Sequence, residues 1–467
     1  MNRIVPLILA VALFMEHMDS TVIATALPAI ATDLGVGPIT LKLALTSYMV
    51  ALAIFIPISG WVADRFGAKK IFRLAILVFV IGSVFCAISE TLLQFVMARF
   101  LQGMGGAMMT PIGRLLLLRT TKRSDLVSAM ALLTIPALVG PLTGPPIGGF
   151  ITTYFTWHWI FIINVPIGFL GIWLAGIYLP KIDTVQPPPI DWLGFFFVGM
   201  AAAGTVFGLS VVSLPALPPA FGITATIAGI VCGFLYVEHA RRHPSPILGL
   251  AIFENDAFRV ATVSGTIFRI STGAIPFLMP LMLQLGFGLN PFQSGMITFA
   301  GAIGALMVKF VARRVFAATG FKVTLIVAGV FGAATTAING FFTPETSHAL
   351  IIAFLVMSGL CRSFFFTGSN ALSYSEIDDA QASQATSIAS VLQQVSLALG
   401  VAFAAFILEA ASVLSGSHLQ LADFHLAFFV VAGVSLFAVV PLFGLHRSAG
   451  AAVSGHGARK LEPEAAE

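Results

Sequence analysis

The sequence predicts an all-α polytopic membrane protein with fourteen transmembrane helices, and three observations support this prediction. Of the 467 residues, 58% are hydrophobic and only 9% are charged, and the mean hydropathy is +0.98. Soluble domains carry about a quarter charged residues, so a soluble globule is excluded. Fourteen apolar runs are each close to the ~20 residues that cross a bilayer as a helix. The runs are continuous rather than alternating, which excludes a transmembrane barrel.

The apolar runs divide into six, two and six. They lie near residues 4–26, 41–63, 71–89, 92–118, 126–151, 157–179, 192–213, 216–236, 257–284, 293–314, 322–342, 348–372, 384–411 and 424–446. A segment containing Pro187–Pro189 follows the sixth run, and a polar segment at 238–256 follows the eighth. We therefore expect an N-terminal six-helix bundle at 1–180, a linker with two extra transmembrane helices at 181–256, a C-terminal six-helix bundle at 257–446, and a disordered cytoplasmic tail at 447–467.

Basic residues predict that both termini are cytoplasmic. They accumulate in alternate loops, whereas the opposite loops carry almost none. They are Arg65, Lys69, Lys70, Arg73, Arg119, Lys122, Arg123, Lys181, Arg241, Arg242, Arg259, Arg313, Arg314 and Lys322. Lysine and arginine collect on the cytoplasmic side of membrane proteins. The net charge of +4 therefore reflects topology, and no nucleic-acid partner is expected.

Neither a metal site nor a cofactor is predicted. Cys86, Cys232 and Cys361 are far apart and lie within apolar runs, so no disulfide or zinc spacing is suggested. The sequence has no Gly-x4-Gly-Lys-Ser/Thr phosphate loop, and we identify no cluster of His and Asp at one membrane surface. A polytopic membrane enzyme is therefore the least favoured alternative, and we expect a protein that is not an enzyme.

The loop after the second run carries the sharpest motif, GWVADRFGAKK at residues 60–70. Gly60 predicts a close approach between helix ends, and Gly67 permits a tight turn. Asp64, Arg65 and Lys69 offer charges at the membrane edge that bond neighbouring helix ends.

A weak echo of this loop follows the tenth run, where Ala312-Arg313-Arg314 and then Gly320 occur. Internal repeats of this sort are typical of transporters. The echo therefore agrees with two related six-helix halves.

Five further motifs lie within predicted spans. They are MDSTVIATALPAI at 18–30, RFLQGMGGA at 99–107, GPLTGPPIGG at 140–149, WHWIFIINVP at 157–166 and RISTGAIPFLMPLMLQLGFG at 269–288. With the 60–70 loop they resemble the major facilitator superfamily, within it the fourteen-helix drug/proton antiporters of the EmrB/QacA type, and among those the MdtD-like branch. The resemblance covers nearly the whole chain, although Ala68 and His158 stand where many members have Arg.

The resemblance implies a proton-coupled antiporter that exports small molecules, including drugs, by alternating access across the bacterial inner membrane. It implies that residues 60, 64, 65, 67 and 69 form a cytoplasmic gate that holds that side closed in the outward-open state. The expected partners are a small-molecule substrate, protons and the lipid bilayer, and we expect a monomer. The proton gradient is the expected energy source.

The 140–149 motif corresponds to the antiporter motif of the family, which lies between the two halves. Its members here are Gly140, Gly144, Pro145, Gly148 and Gly149. Glycines four residues apart make a face for close helix packing, and the prolines allow the helix to bend. Helix packing alone remains the alternative role.

Two acids and one arginine are the candidates for proton coupling. Asp19 and Arg99 each lie seven residues from the outer end of their spans, roughly 10 Å deep at 1.5 Å per residue. Glu16 precedes Asp19 by three residues and shares its helical face. A buried charge is costly in a bilayer, so these residues suggest a function. The alternative is a static ion pair that is needed only for folding.

The candidate substrate cavity is rich in arginine. Arg269 and Arg362 lie near the membrane midplane, and the uncharged candidates are Gln102, Asn370, Gln393 and Gln394. Two arginines favour an anionic substrate, since guanidinium groups bind carboxylates bidentately. An exporter of di- or tricarboxylates is therefore an alternative to multidrug export. It is equally open that each arginine pairs with backbone carbonyls or with a neighbour such as Gln393, Gln394 or Asn370.

Overall fold

The structure is a computed structural model that describes residues 4–121, 126–180, 189–212, 214, 218–415, 419–446 and 448–456. Within these ranges every regular element is helical. The predicted linker residues 181–188 and the basic residues Lys122, Arg123 and Lys181 lie outside them.

The described residues before position 180 form nine α-helices. They are α1 (Ile4–Val22), α2 (Leu27–Asp33), α3 (Lys42–Phe55), α4 (Ser59–Phe66), α5 (Ala68–Ala87), α6 (Leu92–Thr120), α7 (Leu126–Tyr154), α8 (Trp159–Ile162) and α9 (Asn164–Tyr178). Short 3₁₀ segments at Ile23–Thr25, Pro38–Leu41 and Ile56–Ile58 interrupt the series. The second predicted span is thus two helices joined at Pro57, because proline cannot donate the backbone hydrogen bond that a continuous α-helix requires.

The helices after residue 189 continue the pattern. They are α10 (Trp192–Val211), α11 (Pro219–Arg242), α12 (Asp256–Leu281), α13 (Pro291–Ile338), α14 (His348–Tyr374), α15 (Asp379–Ser415), α16 (Leu421–Phe437), α17 (Val440–Phe443) and α18 (Ala451–Ser454). A π-helical segment at Met282–Gly286 extends α12. Helix α13 contains two helices that meet at Gly320, where φ is 72° and ψ is 170°.

Among the described residues, eleven helical stretches are long and apolar enough to cross a membrane. One of them, Pro291–Phe341, contains the kink at Gly320, and the 29-residue helices α6 and α7 are additional to the eleven. Large apolar side chains such as Trp173, Phe234 and Phe310 are more than half exposed. Exposed apolar surface of this extent fits a multi-pass protein whose solvent is lipid.

The chain divides into two compact units. The N-unit comprises Met1–Ile247 and Leu283–Met296, and the C-unit comprises Leu248–Met282 and Ile297–Glu467. In the N-unit, α1, α5 and α6 share one apolar core that includes Phe72. In the C-unit, the core includes Phe268 and Phe365, whose rings stack at 3.9 Å between centroids.

The described part of the predicted tail, residues 448–456, contacts the C-unit. Helix α18 lies there, the amide of Gly450 donates to Glu376 Oε1 at 3.4 Å, and the His456 ring contacts the carbonyl of Ala317 at 3.1 Å. Disorder of the tail stays a prediction. Residues 457–467 lie outside the described ranges.

Candidate proton-coupling site

A buried ion pair lies inside the N-unit. Asp19 on α1 and Arg99 on α6 have side chains that are at most 1% exposed, and Arg99 Nη1 donates to Asp19 Oδ2 at 2.7 Å. Both residues were candidates from the sequence, and the structure brings them into direct contact. Removing one member of such a pair leaves a buried charge without compensation, which is strongly destabilising.

Neutral side chains complete the surroundings of the Asp19 carboxylate. Gln102 Nε2 and Asn164 Nδ2 both donate to Asp19 Oδ1, at 2.9 and 2.7 Å. The hydroxyl oxygen of Ser83 accepts from the same two amides at 2.8 and 3.3 Å. We call Asp19, Ser83, Arg99, Gln102 and Asn164 the Asp19 cluster. Asn164 Oδ1 is buried and has no hydrogen-bond partner among the described residues.

One member of this cluster, Gln102, was predicted as a residue of the substrate cavity. It is fully buried, and its Oε1 also accepts from Arg99 Nη1 at 2.6 Å. Its amide thus bonds to both members of the ion pair, and its role in substrate binding stays a prediction. Asn164 and Ser83 were not predicted as site residues, although a polar Asn in the apolar run before Pro166 was the available signal.

Glycines bring α6 close enough to its neighbours for these contacts. A β-carbon at Gly103 would lie 2.6 Å from the carbonyl oxygen of Tyr48 on α3, and one at Gly105 would lie 2.7 Å from that of Ala75 on α5. Real β-carbons do not approach backbone so closely. Any larger residue at either position would separate the helices that enclose Arg99.

The face of the Arg99 guanidinium is covered by aromatic rings. Its Cζ lies 4.3 Å from the centroid of the Tyr48 ring and 5.9 Å from that of Phe161. Cation–π contact with desolvated rings stabilises the positive charge. Arg99 is therefore held by an anion, an amide and two rings while it stays out of water.

Glu16 has a different neighbour. Its Oε2 accepts from the Thr110 hydroxyl at 2.7 Å, and its side chain is buried. Helix α6 thus carries partners for both acids, Arg99 for Asp19 and Thr110 for Glu16. The shared helical face predicted for the acids is compatible with these contacts, but each acid bonds to its own partner.

The glycines of the 140–149 motif pack against the helix that carries both acids. A β-carbon at Gly140 would lie 2.9 Å from the carbonyl oxygen of Phe14, and one at Gly148 would lie 2.8 Å from Thr25 Oγ1. At Gly144 it would lie 3.0 Å from Thr21 Cβ, with Thr21 Oγ1 closer still. Along this stripe α7 packs directly on α1 and on the 3₁₀ turn that follows it.

Two other members of that motif contact the 283–296 segment of the N-unit. The carbonyl oxygen of Pro145 approaches the position of a β-carbon on Gly295, and Gly149 lies against Pro291 and Phe292. The motif therefore packs on two sides. Its conformational role remains a prediction.

The 60–70 loop forms a tight turn between α4 and α5. Gly67 has φ 93°, which favours glycine, and Asp64 Oδ1 accepts from Arg119 Nη2 at 2.7 Å. Lys69 Nζ donates to the carbonyl oxygen of Leu179. A β-carbon at Gly60 would meet no described atom within 4 Å, so the close approach expected there is wrong. Arg65 is exposed.

The other predicted cavity residues lie in the C-unit, and only some of them contact one another. Arg269 Nη2 donates to Asn370 Oδ1 at 2.8 Å, and its Cζ lies 5.2 Å from the Phe366 centroid. The sequence left open whether Arg269 binds an anionic substrate or pairs with a neighbouring group, and the contact with Asn370 is of the second kind. Asn370 itself is exposed, so this arginine is held beside an accessible amide.

Arg362, Gln393 and Gln394 do not join that contact. Among the described residues, Arg362 has neither a hydrogen-bond acceptor nor an acidic neighbour, and Arg269 has no acidic neighbour either. Gln393 is exposed on α15 and Gln394 is half-buried. The C-unit therefore holds two arginines whose charges are not neutralised by a described carboxylate.

An apolar multi-spanning helical protein with an acid–base cluster buried between its helices has the construction of a secondary transporter. The chain belongs to the Major Facilitator Superfamily, whose family model matches residues 9–253 and 261–464. The family predicted from the motifs is confirmed, and it is a family of transporters.

Curated relatives match most of the chain. It is 34% identical over 400 residues to the "Probable transport protein HsrA" of Haemophilus influenzae, covering 86% of each. It is 35% identical over 402 residues to the "Putative multidrug resistance protein MdtD" of Pectobacterium atrosepticum, again covering 86% of each. The resemblance to the MdtD-like branch is therefore also confirmed.

Solved structures share the fold at low identity. The POT family transporter PepTSo has a TM-score of 0.70 and 14% identity, with 95% of this chain and 97% of that one covered. A D-xylose–proton symporter has a TM-score of 0.69 and 13% identity, with 96% and 98% covered. At this identity the likeness shows the fold alone.

Proposed function

We propose that the protein is a proton-coupled antiporter that exports small molecules by alternating access. The observation that supports this most directly is the buried Asp19–Arg99 pair inside a transporter fold. A titratable acid held against a permanent cation changes its interactions when it gains a proton. The pair therefore supplies a switch that the proton gradient can drive.

The energetic cycle follows from the cluster. Protonation of Asp19 removes the charge that compensates Arg99, and a buried cation without a counter-ion is unfavourable. The protein then favours the inward-facing state, where the proton leaves and substrate is loaded. One inward proton supplies about 2.3 kcal/mol at 100 mV and about 1.4 kcal/mol per pH unit. Glu16, bonded to Thr110, is a second candidate carrier.

Drugs are the substrate class suggested by the relatives that are named multidrug resistance proteins. Organic anions such as di- or tricarboxylates are the second candidate, because Arg269 and Arg362 have no acidic neighbour among the described residues. Arginines without counter-ions attract carboxylates and repel cations.

Proton release separates the two substrate classes. We expect purified protein at weakly buffered pH to release protons on addition of its substrate, because substrate loading follows proton departure. The panel contains cationic dyes, dicarboxylates and tricarboxylates, and a pH indicator gives the readout. Release with dyes alone assigns drug export, and release with carboxylates alone assigns anion export. No release with any compound of a class that the protein transports would refute antiport.

Arg269→Gln tests the proposal of an anionic substrate independently of the proton-release measurement. We expect at least a ten-fold loss of carboxylate transport, since a charged hydrogen bond contributes about 1.5–3 kcal/mol. Uptake into everted vesicles is the measurement, with Arg259→Gln as the matched control because Arg259 is a surface residue paired with Asp256. Equal carboxylate transport by wild type and Arg269→Gln would remove Arg269 from the substrate site.

We also propose fourteen transmembrane helices, cytoplasmic termini, a monomer and residence in the bacterial inner membrane. The eleven candidate spans, helices α6 and α7, and the division of α13 at Gly320 support the count. The bias of basic residues supports the orientation. Reporter fusions after residues 90, 180 and 446 test it, and a periplasmic signal from the fusion at 446 would overturn it.

A further inference from the structure

A cluster that the sequence did not reveal lies where α10 begins and α11 ends. Asp191, His239 and His243 each offer a ligand atom, and these atoms lie within 4.8 Å of one another. We had identified no cluster of His and Asp, and that expectation is wrong. Asp191 is 48 residues from His239 along the chain, and only the antiparallel packing of the two helices brings them together.

Each side chain is held in place by its surroundings. Asp191 caps α10, since its Oδ1 accepts from the Gly194 amide at 2.8 Å, and its Oδ2 accepts from the Ile247 amide at 3.3 Å. His239 Nε2 contacts Asp191 Oδ1 at 2.8 Å. His239 lies in the last turn of α11 and His243 follows the helix directly, four residues later, and their ring centroids are 5.1 Å apart.

The three ligand side chains are only partly enclosed by the two helices. The side chains of Asp191 and His239 are 2% and 16% exposed, and His243 is half-buried. The group is therefore shielded but reachable from the aqueous edge of the helices.

We propose that Asp191, His239 and His243 bind a divalent transition metal, of which Zn²⁺ is the best match. Two imidazoles and one carboxylate form a common three-ligand set for zinc, with water in the fourth position. Magnesium and calcium prefer all-oxygen ligands, so this donor set selects against them. Binding replaces the His239–Asp191 hydrogen bond with two metal bonds near 2.0–2.2 Å, so these two side chains move slightly apart while the more distant ligand atoms move closer.

The metal would join the two extra helices at one end. Asp191 begins α10 and His243 follows α11 directly, so coordination clamps the open end of this hairpin. The opposite end is connected by the chain itself. This assigns a local stabilising role to a pair of helices for which the sequence suggested none, and it does not depend on the transported substrate.

The test is Co²⁺ titration of the full-length protein in detergent, stripped with a chelator and carrying no histidine tag. We expect one equivalent to bind, with visible absorption bands of low-symmetry coordination that Zn²⁺ abolishes by competition. His243→Ala should raise the apparent Kd at least about ten-fold, since even outer-shell changes cost 10–100-fold. His348→Ala, at an exposed histidine, should leave the Kd unchanged.

Asp191→Asn separates metal binding from helix capping, because asparagine caps helices as well as aspartate does. We expect this variant to unfold at nearly the wild-type temperature without metal and to lose the increase in unfolding temperature that Zn²⁺ gives the wild type. Absence of saturable Co²⁺ binding by the wild type, or unchanged binding by His243→Ala, would leave only a hydrogen-bonded cap and overturn the proposal.

Discussion

Substituting Asp19 with asparagine is expected to abolish proton-driven export while the protein still inserts into the membrane. Asparagine cannot carry the proton, and it leaves Arg99 without its counter-ion, which costs about 3–5 kcal/mol. That energy corresponds to more than about a hundred-fold change in the preference between two states. Transport in proteoliposomes, with and without an imposed pH gradient, is the measurement.

Two further variants separate coupling from folding. Asp19→Asn combined with Arg99→Gln removes both charges, so we expect its thermal unfolding to recover towards the wild type while transport stays absent. Asp256→Asn makes the same chemical change in an exposed pair with Arg259, where about 0–1 kcal/mol is at stake, and should transport normally. Wild-type rates for Asp19→Asn under a proton gradient would exclude Asp19 as the carrier.

Replacing Gly148 with alanine is expected to have the second largest effect. The added methyl group would overlap the backbone carbonyl oxygen of Val22 and would also meet Thr25 Oγ1, so α7 must move away from α1. Overpacking typically costs about 1–3 kcal/mol, and here it displaces the helix that carries Asp19. We expect a lower unfolding temperature and transport reduced to a small fraction of wild type.

The matched control is Gly433→Ala. Gly433 also lies within a predicted span, on α16, but a β-carbon there would meet no described atom within 4 Å. Alanine favours the helix over glycine by about 1 kcal/mol, so this variant should be unchanged or slightly more stable. If both variants behaved alike, the close contact between α7 and α1 would not matter for transport.

Much of the fold was predictable because a transmembrane helix can be recognised from the composition of its apolar run. Runs of about 20 apolar residues matched helices such as α5 and α12 closely. The interruption at Pro57 and the π-helical turn at Met282–Gly286 were missed, since hydropathy carries no information on backbone hydrogen bonding. The echo between the 60–70 loop and Gly320 has a structural counterpart, because Gly67 and Gly320 both adopt positive φ at helix junctions.

The candidate site was predictable only for its charged members. Asp19 and Arg99 stood out because charge is rare within apolar runs. Thr110 and Ser83 gave no comparable signal. Which faces of distant helices meet depends on packing, and the periodicity of one sequence does not contain that information. For the same reason the sequence did not show that Gln102 bonds to the ion pair.

The groups that bond to the Asp19 carboxylate are all hydrogen-bond donors, and this restricts how the carboxylate can accept a proton. Arg99, Gln102 and Asn164 all present donors to the carboxylate, so a neutral acid, which must donate its own hydrogen, finds no acceptor in the same geometry. Rotating the Asn164 amide by about 180° exchanges its NH₂ for the oxygen that now lacks a partner. The orientation of this one amide would then depend on whether the Asp19 carboxyl group is charged or neutral.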